Sequence, residues 1–224
     1  MKKYWLLFVG MILLTHCNSS ANESTESSIG SEKTVEVRTE TTQDVRDKTF
    51  EQLFKAVPAE GVMDETYAYA GRTFTVITSG TSSDYNSMVA GWGGPGTLFG
   101  KPSTWCFLRA NRYTLEYIRK EKTYTMAYFP QQYNEQVLFL GSKTGRDTDK
   151  MKESTLTPVE TPSGMMSYKE AEVIIECTLT EITSVTPDDF YTQEGKDFVL
   201  EGYEDAGDYH KMVFGEITRV WVKK

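Results

Sequence analysis

From about residue 72 onward the chain is built from short apolar runs that alternate every second residue, broken by shorter stretches whose apolar positions recur every three or four. Arg72–Ser79 is β-branched and aromatic, bounded by Gly71 and Gly80, and this predicts a strand. Thr104–Arg109 and Thr123–Phe129 read the same way. Glu172–Ile182 sets Val173, Ile175, Cys177 and Leu179 on one face, and Tyr209–Val222 is a second long β-rich run. Between these strands, Asn111–Glu121 carries Leu115 and Ile118 at helical spacing with charges outward, and Asn111 is placed to be its N-cap. Gln131–Leu140 and Asp147–Glu153 are predicted as further short helices. A short leading helix starts near Asp44, where Val45, Thr49, Phe50, Leu53 and Phe54 recur before Pro58 ends the pattern. Strands outnumber helices, so the expected fold is mainly β, a barrel with short helical insertions rather than a doubly wound sheet. Pro187–Gly207 is acidic and aromatic, and it reads equally as a lid, an oligomer contact or a connecting loop.

The first forty residues follow a different pattern. Met1-Lys2-Lys3 precedes an apolar run from Tyr4 to Leu14, well short of the ~18 residues that span a bilayer, which is the layout of a signal peptide. Leu14-Thr15-His16-Cys17 resembles a bacterial lipobox, in which Cys17 becomes the lipidated first residue of the mature chain. His16 departs from the small residue usual before that cysteine, and cleavage after Ser19-Ser20-Ala21 is the alternative. Residues 18–43 are Ser, Thr, Glu and Asn with almost no large apolar side chains, as expected of a flexible tether. Three segments result: a leader with lipobox at 1–17, a tether at 18–43 and one folded domain at 44–224. The chain is expected to be exported and anchored to a bacterial membrane by lipid, on the periplasmic or cell-surface side.

Charge and composition narrow the chemistry. A formal net charge of -8 and a pI near 5.0 argue against a nucleic-acid binder, which needs a basic face for phosphates. Cys106 and Cys177 lie in apolar, strand-like surroundings and are expected to be buried free thiols, although one disulfide is arithmetically possible. Beyond the leader the one histidine is His210, and no Cys/His cluster has metal-ligand spacing, so no zinc site is expected.

Four segments carry candidate chemistry: Asn86-Ser87-Met88-Val89-Ala90-Gly91-Trp92-Gly93-Gly94, Arg109-Ala110-Asn111-Arg112-Tyr113-Thr114, Gly141–Lys150, and Gly207–Ile217. In this order they resemble the flavin reductase-like family of FMN-binding split β-barrels, over about Phe50 to Lys223. The resemblance implies noncovalently bound FMN, an oxidoreductase and a homodimer. FMN presents a dianionic phosphate and a flat ring, and a site must meet both. Arg109 and Arg112 flank the predicted helix start and are expected to converge on one anion; Ser142, Lys143 and Arg146 sit in a loop ahead of another helix. For the ring, the resemblance implies that Asn86, Ser87, Met88, Ala90, Gly91 and Trp92 line the polar edge. Trp92 either covers a ring face or fills the barrel core. Tyr113, one turn before Tyr117, either edges the pocket or docks an apolar helix face. Gly207-Asp208-Tyr209-His210 is similar to a Gly-Asp-His motif of related reductases with one residue inserted, so His210 faces either the donor side of the flavin, as its catalytic histidine, or the packing. Three functions stay open: an NAD(P)H-dependent flavin reductase, a membrane-tethered flavin-binding or electron-carrier lipoprotein served by a membrane donor, and a β-rich surface lipoprotein that binds a glycan or protein partner.

Overall fold

Ten strands organise the domain in the computed structural model, which describes residues 45–66, 74–203 and 208–224. The leader, Cys17, the tether and Asp44 lie outside the described residues, as do Arg72, Thr73 and Gly207. The elements of the sheet are β1 (Phe54–Val57), β2 (Thr75–Thr81), β3 (Asp84–Ala90), β4 (Gly93–Leu98), β5 (Lys101–Arg109), β6 (Thr123–Tyr128), β9 (Val173–Ser184) and β10 (His210–Lys223); β7 (Pro158–Glu160) and β8 (Met166–Tyr168) form a separate hairpin. The helices are α1 (Phe50–Leu53), α2 (Val62–Thr66), α3 (Tyr113–Glu121), α4 (Asn134–Ser142), α5 (Lys150–Glu153) and α6 (Gln193–Gly202).

The sheet runs β3-β2-β6-β9-β10-β5-β4, antiparallel throughout. The long strand β10 shares one edge between two partners: His210–Glu216 pair with β5, and Val220–Lys223 pair with β1. Its other edge pairs with β9 through two register shifts, at Phe214/Gly215 and Ile217/Arg219, and such bulges bend and twist a strand.

Adjacent residues of the central strands feed two different cores, because successive side chains of a strand point to opposite faces. Ile77, Met126, Ile175 and Cys177 enter the barrel interior with Leu108, Leu115 and Val213, while Val76, Ala127 and Ile174 pack outward against Phe50, Phe54, Val137 and Leu140. The face predicted for Val173, Ile175, Cys177 and Leu179 is the interior one. Both cysteines are buried and free, so the pairing does not form.

Several expectations need correction. The run around Phe50 divides into α1 and the strand β1, because Phe54 turns outward onto Phe50 and its backbone pairs with β10. Helix α3 begins at Tyr113 with Arg112 at its N-cap and no side-chain cap; the side chain of Asn111 is drawn away to Asp208. The acidic Pro187–Gly207 stretch contains α6, whose N-cap Thr192 accepts from the Gly195 N–H. The glycine-rich segment after Trp92 is itself a strand, β4, paired along its length with β5.

Candidate functional site

Strands β3 and β4 are neighbours in the chain yet stand at opposite ends of the sheet order. The bend at Gly91–Trp92 bridges the two ends, and the Phe107 N–H donates to the Trp92 carbonyl at 3.1 Å. Gly93 makes this bend possible: its φ is +135°, and a Cβ there would stand 2.2 Å from the Trp105 carbonyl oxygen. Among the described residues β3 pairs with β2 alone, so one edge of its backbone is free of sheet hydrogen bonds. A cleft follows that seam. Two of its cavities, of about 290 and 240 Å³, share Met88, Val89 and Arg112 as common walls, and a third, more open one of about 420 Å³ adjoins the first at Asn86 and Arg146.

The 290 Å³ cavity lies between β3, the start of α3 and the loop before α5. Asn86 is buried and donates through Nδ2 to Thr114 Oγ1 at 2.6 Å, which ties the strand to the helix. Gly145 fits against this pair, and a Cβ there would meet Asn86 Oδ1 at 2.3 Å. Arg146 stacks on the Tyr113 ring at 4.9 Å, donates to the Asn111 carbonyl at 2.7 Å and pairs with Glu116. Lys143 pairs with Glu153 and lies over Phe139. Lys150, only 3 % exposed, donates to the carbonyls of Leu140 and Lys143 at 2.8 and 3.0 Å. Burial, reinforced by the charge of Arg112, lowers its pKa to about 8. Arg112 itself is exposed and forms no side-chain hydrogen bond or ion pair among the described residues.

The smaller cavity is apolar and aromatic. Met88, Ala90, Gly91, Trp92 and Phe107 line it with Arg109 and His210. Trp92 is 51 % exposed, so it forms the cavity wall instead of filling the core, and its ring lies 4.9 Å from His210 and 6.2 Å from Phe107. His210 sits opposite Arg109 in the β10–β5 register, on the cavity side despite the inserted Tyr209. Burial first, then the charges of Arg109 and Arg112, push its pKa below the usual value.

The structure separates residues that the sequence grouped. Arg109 and Arg112 both line the smaller cavity; the Arg109 Nε lies 2.7 Å from Asp208 Oδ2, whereas Arg112 has no carboxylate partner among the described residues. Ser87 turns to the other face, where its Oγ contacts Thr78 Oγ1 and accepts from the Tyr168 hydroxyl. The Ser142 hydroxyl donates to the Phe139 carbonyl and lines neither cavity. The sequence reading missed Thr114, Gly145, Lys150 and Asp208. Asp208 collects Arg109 and both the N–H and side-chain amide of Asn111. Lys150 carried one signal: a lysine directly behind a Gly-x-Asp-x-Asp turn, where it opens a four-residue helix.

Residues 68–224 match the family described as Flavin reductase like domain. No curated protein matches the chain significantly. Among solved structures, an FMN-binding domain of a flavin reductase-like enzyme from Shewanella baltica superposes with a TM-score of 0.57 at 13 % identity, covering 75 % of this chain and 76 % of that one. An FMN-binding protein from Thermus thermophilus, crystallised with 1-cyclohex-2-enone, gives 0.52 at 19 % identity, covering 67 % and 70 %. A flavin reductase with a split barrel domain from Shewanella frigidimarina gives 0.52 at 15 % identity, covering 81 % and 78 %. The mainly β sheet with short helices is thus the split-barrel fold, and the chain belongs to the flavin reductase-like family.

Proposed function

We propose that this chain is an FMN-binding oxidoreductase that holds its flavin noncovalently along the seam, with the phosphate at the Arg112 and Lys150 end and the ring toward Trp92 and His210. The observation that carries this reading is the pairing of Arg112 with Lys150. The two cations line one cavity, Lys150 is bonded to main-chain carbonyls, and neither is matched to a carboxylate among the described residues. Such an arrangement is costly unless an anion completes it. The remaining residues fit the same group: the free edge of β3 offers backbone donors to a ring edge, Gly145 keeps the approach open, and Trp92 and Phe107 give flat apolar cover.

FMN supplies the redox chemistry when bound. The chain's own residues do the rest. Arg112 and Lys150 neutralise the phosphate, Met88, Trp92 and Phe107 exclude water, and His210, held neutral near pH 7, offers an N–H to an acceptor atom.

The electron donor is a membrane partner or NAD(P)H. The predicted leader removes the chain from the cytoplasmic nicotinamide pool, which favours the former. NADH oxidation by the purified holoprotein separates the two. A visible spectrum of protein purified without added flavin tests the whole reading: a flavin band that survives desalting is expected, and a colourless protein that takes up no FMN on titration refutes it. The same reading carries a homodimer, checked by sedimentation, and a lipid anchor at Cys17. Cys17→Ala is expected to release the protein from membranes, and a mature N-terminus at Asn22 would refute the anchor.

A further inference from the structure

Tyr203 follows α6, and no motif pointed to it. Its phenol meets Nδ1 of His210, with the two rings 5.5 Å apart and nearly perpendicular. The Arg109 guanidinium sits over its face at 5.0 Å, and Tyr209 packs against it edge-on at 5.2 Å. With the phenol O–H as donor, Nδ1 is the acceptor and the ring's N–H is at Nε2. The charged groups around His210 are Arg109, Arg112 and Asp208, and the Asp208 carboxylate is committed to Arg109 and Asn111. Nothing there competes with Tyr203 for the imidazole among the described residues.

We propose that Tyr203 is a positioning residue: it fixes His210 as the Nε2–H tautomer, a neutral donor in the apolar half of the cleft, and so suits that half to a flat ligand bearing a carbonyl oxygen. The proposal rests on the reading of the cleft as a flavin site, in which Arg112 is taken by the phosphate. A carbonyl accepts from a neutral N–H and needs no counter-ion. A carboxylate would need a second uncommitted cation, and Arg109 is already matched by Asp208.

The test is nitrogen NMR of the full chain carrying His16→Gln, in which His210 is the one imidazole. Without any flavin, Nδ1 is expected to be unprotonated and Nε2 protonated. Tyr203→Phe is expected to give a mixture of tautomers and to raise the His210 titration midpoint by about half to one pH unit, because phenol donation stabilises only the neutral ring. In flavin-loaded protein, acetophenone is expected to shift the Nε2–H resonance and ethylbenzene, the same skeleton without the carbonyl, to leave it in place. A ring protonated at Nδ1, or a tautomer indifferent to Tyr203→Phe, overturns the positioning role. Equal responses to the two ligands overturn the ligand class. A locked tautomer in a protein that takes up no FMN supports the role of Tyr203 and counts against the flavin reading alone.

Discussion

The two halves of the cleft settle their polar groups in opposite ways. At the aromatic end the polar groups that belong to it alone are engaged: Asp208 pairs with Arg109 and holds Asn111, and Tyr203 meets His210. At the other end the fold consumes Arg146 on Glu116 and Lys143 on Glu153, then leaves Arg112 and Lys150 without a carboxylate. In a chain of net charge -8, a basic residue is therefore not evidence of an anion site by itself. What marks the site is the cation that the protein does not neutralise, since an exposed, already paired arginine has little electrostatic free energy left to give.

The largest break in this comparison is expected at the aromatic end. His210→Phe should leave FMN affinity unchanged and slow flavin reduction by about 100-fold, as loss of a positioned proton donor does. Stopped-flow reduction with the working donor measures it, and a variant reduced at the unmutated rate would remove His210 from the chemistry.

Next in size is the cationic end. Arg112→Ala should weaken FMN binding about tenfold or more while riboflavin binding changes little, because one charge-assisted contact to phosphate is worth roughly 1.5 to 3 kcal/mol. Arg146→Ala, which removes a guanidinium already held by Glu116, should cost less. Titrations of both flavins against both variants decide it; equal losses at Arg112 would mean that its charge does not meet the phosphate.

A smaller effect sharpens the contrast through pH. Lys150 has a folded pKa of about 8, below the ordinary lysine value of 10.5. Its charge is present below pH 8 and fades above it, so FMN affinity should fall several-fold between about pH 7 and 9, and Lys150→Met should flatten that slope. For the flavin-free protein the sign is reversed. Between about pH 8 and 10.5 the unfolded chain binds the extra proton, so this group makes folding stability rise with pH across that window. A denaturation series over the same range reads it.

Much of the architecture was legible because strand alternation is local. Val173, Ile175, Cys177 and Leu179 announced an interior face, and Leu115 with Ile118 announced a docked helix face, both fully realised in the core. Strand β4 was not legible: Gly93-Gly94-Pro95-Gly96 has no apolar alternation, and the segment is a strand because β5 supplies its hydrogen bonds. Helix α6 was hidden by its acidic and aromatic composition, with Val199 as its one fully buried side chain. Of the candidate site, Asn86, Met88, Trp92, Arg112 and His210 were named from motif order, while Ser87 and Ser142 were named with them and turn elsewhere. Motif order does not say which way a side chain leaves the backbone, and in a strand that direction reverses at every residue.

The amino-acid sequence by itself determined the mainly β fold, the family and the four segments that meet at the seam, because periodicity and short motifs are properties of neighbouring residues. Only the tertiary structure decided which of those residues act together. Asp208 reaches Arg109 across two paired strands, Glu116 takes Arg146 from another loop, and Lys150 lines the cavity with its ammonium on the Leu140 carbonyl, so Arg112 and Lys150 are left without a carboxylate. Charge pairing between distant segments and the burial of an ionisable group are set by three-dimensional distance and desolvation, and neither is written in the order of the chain.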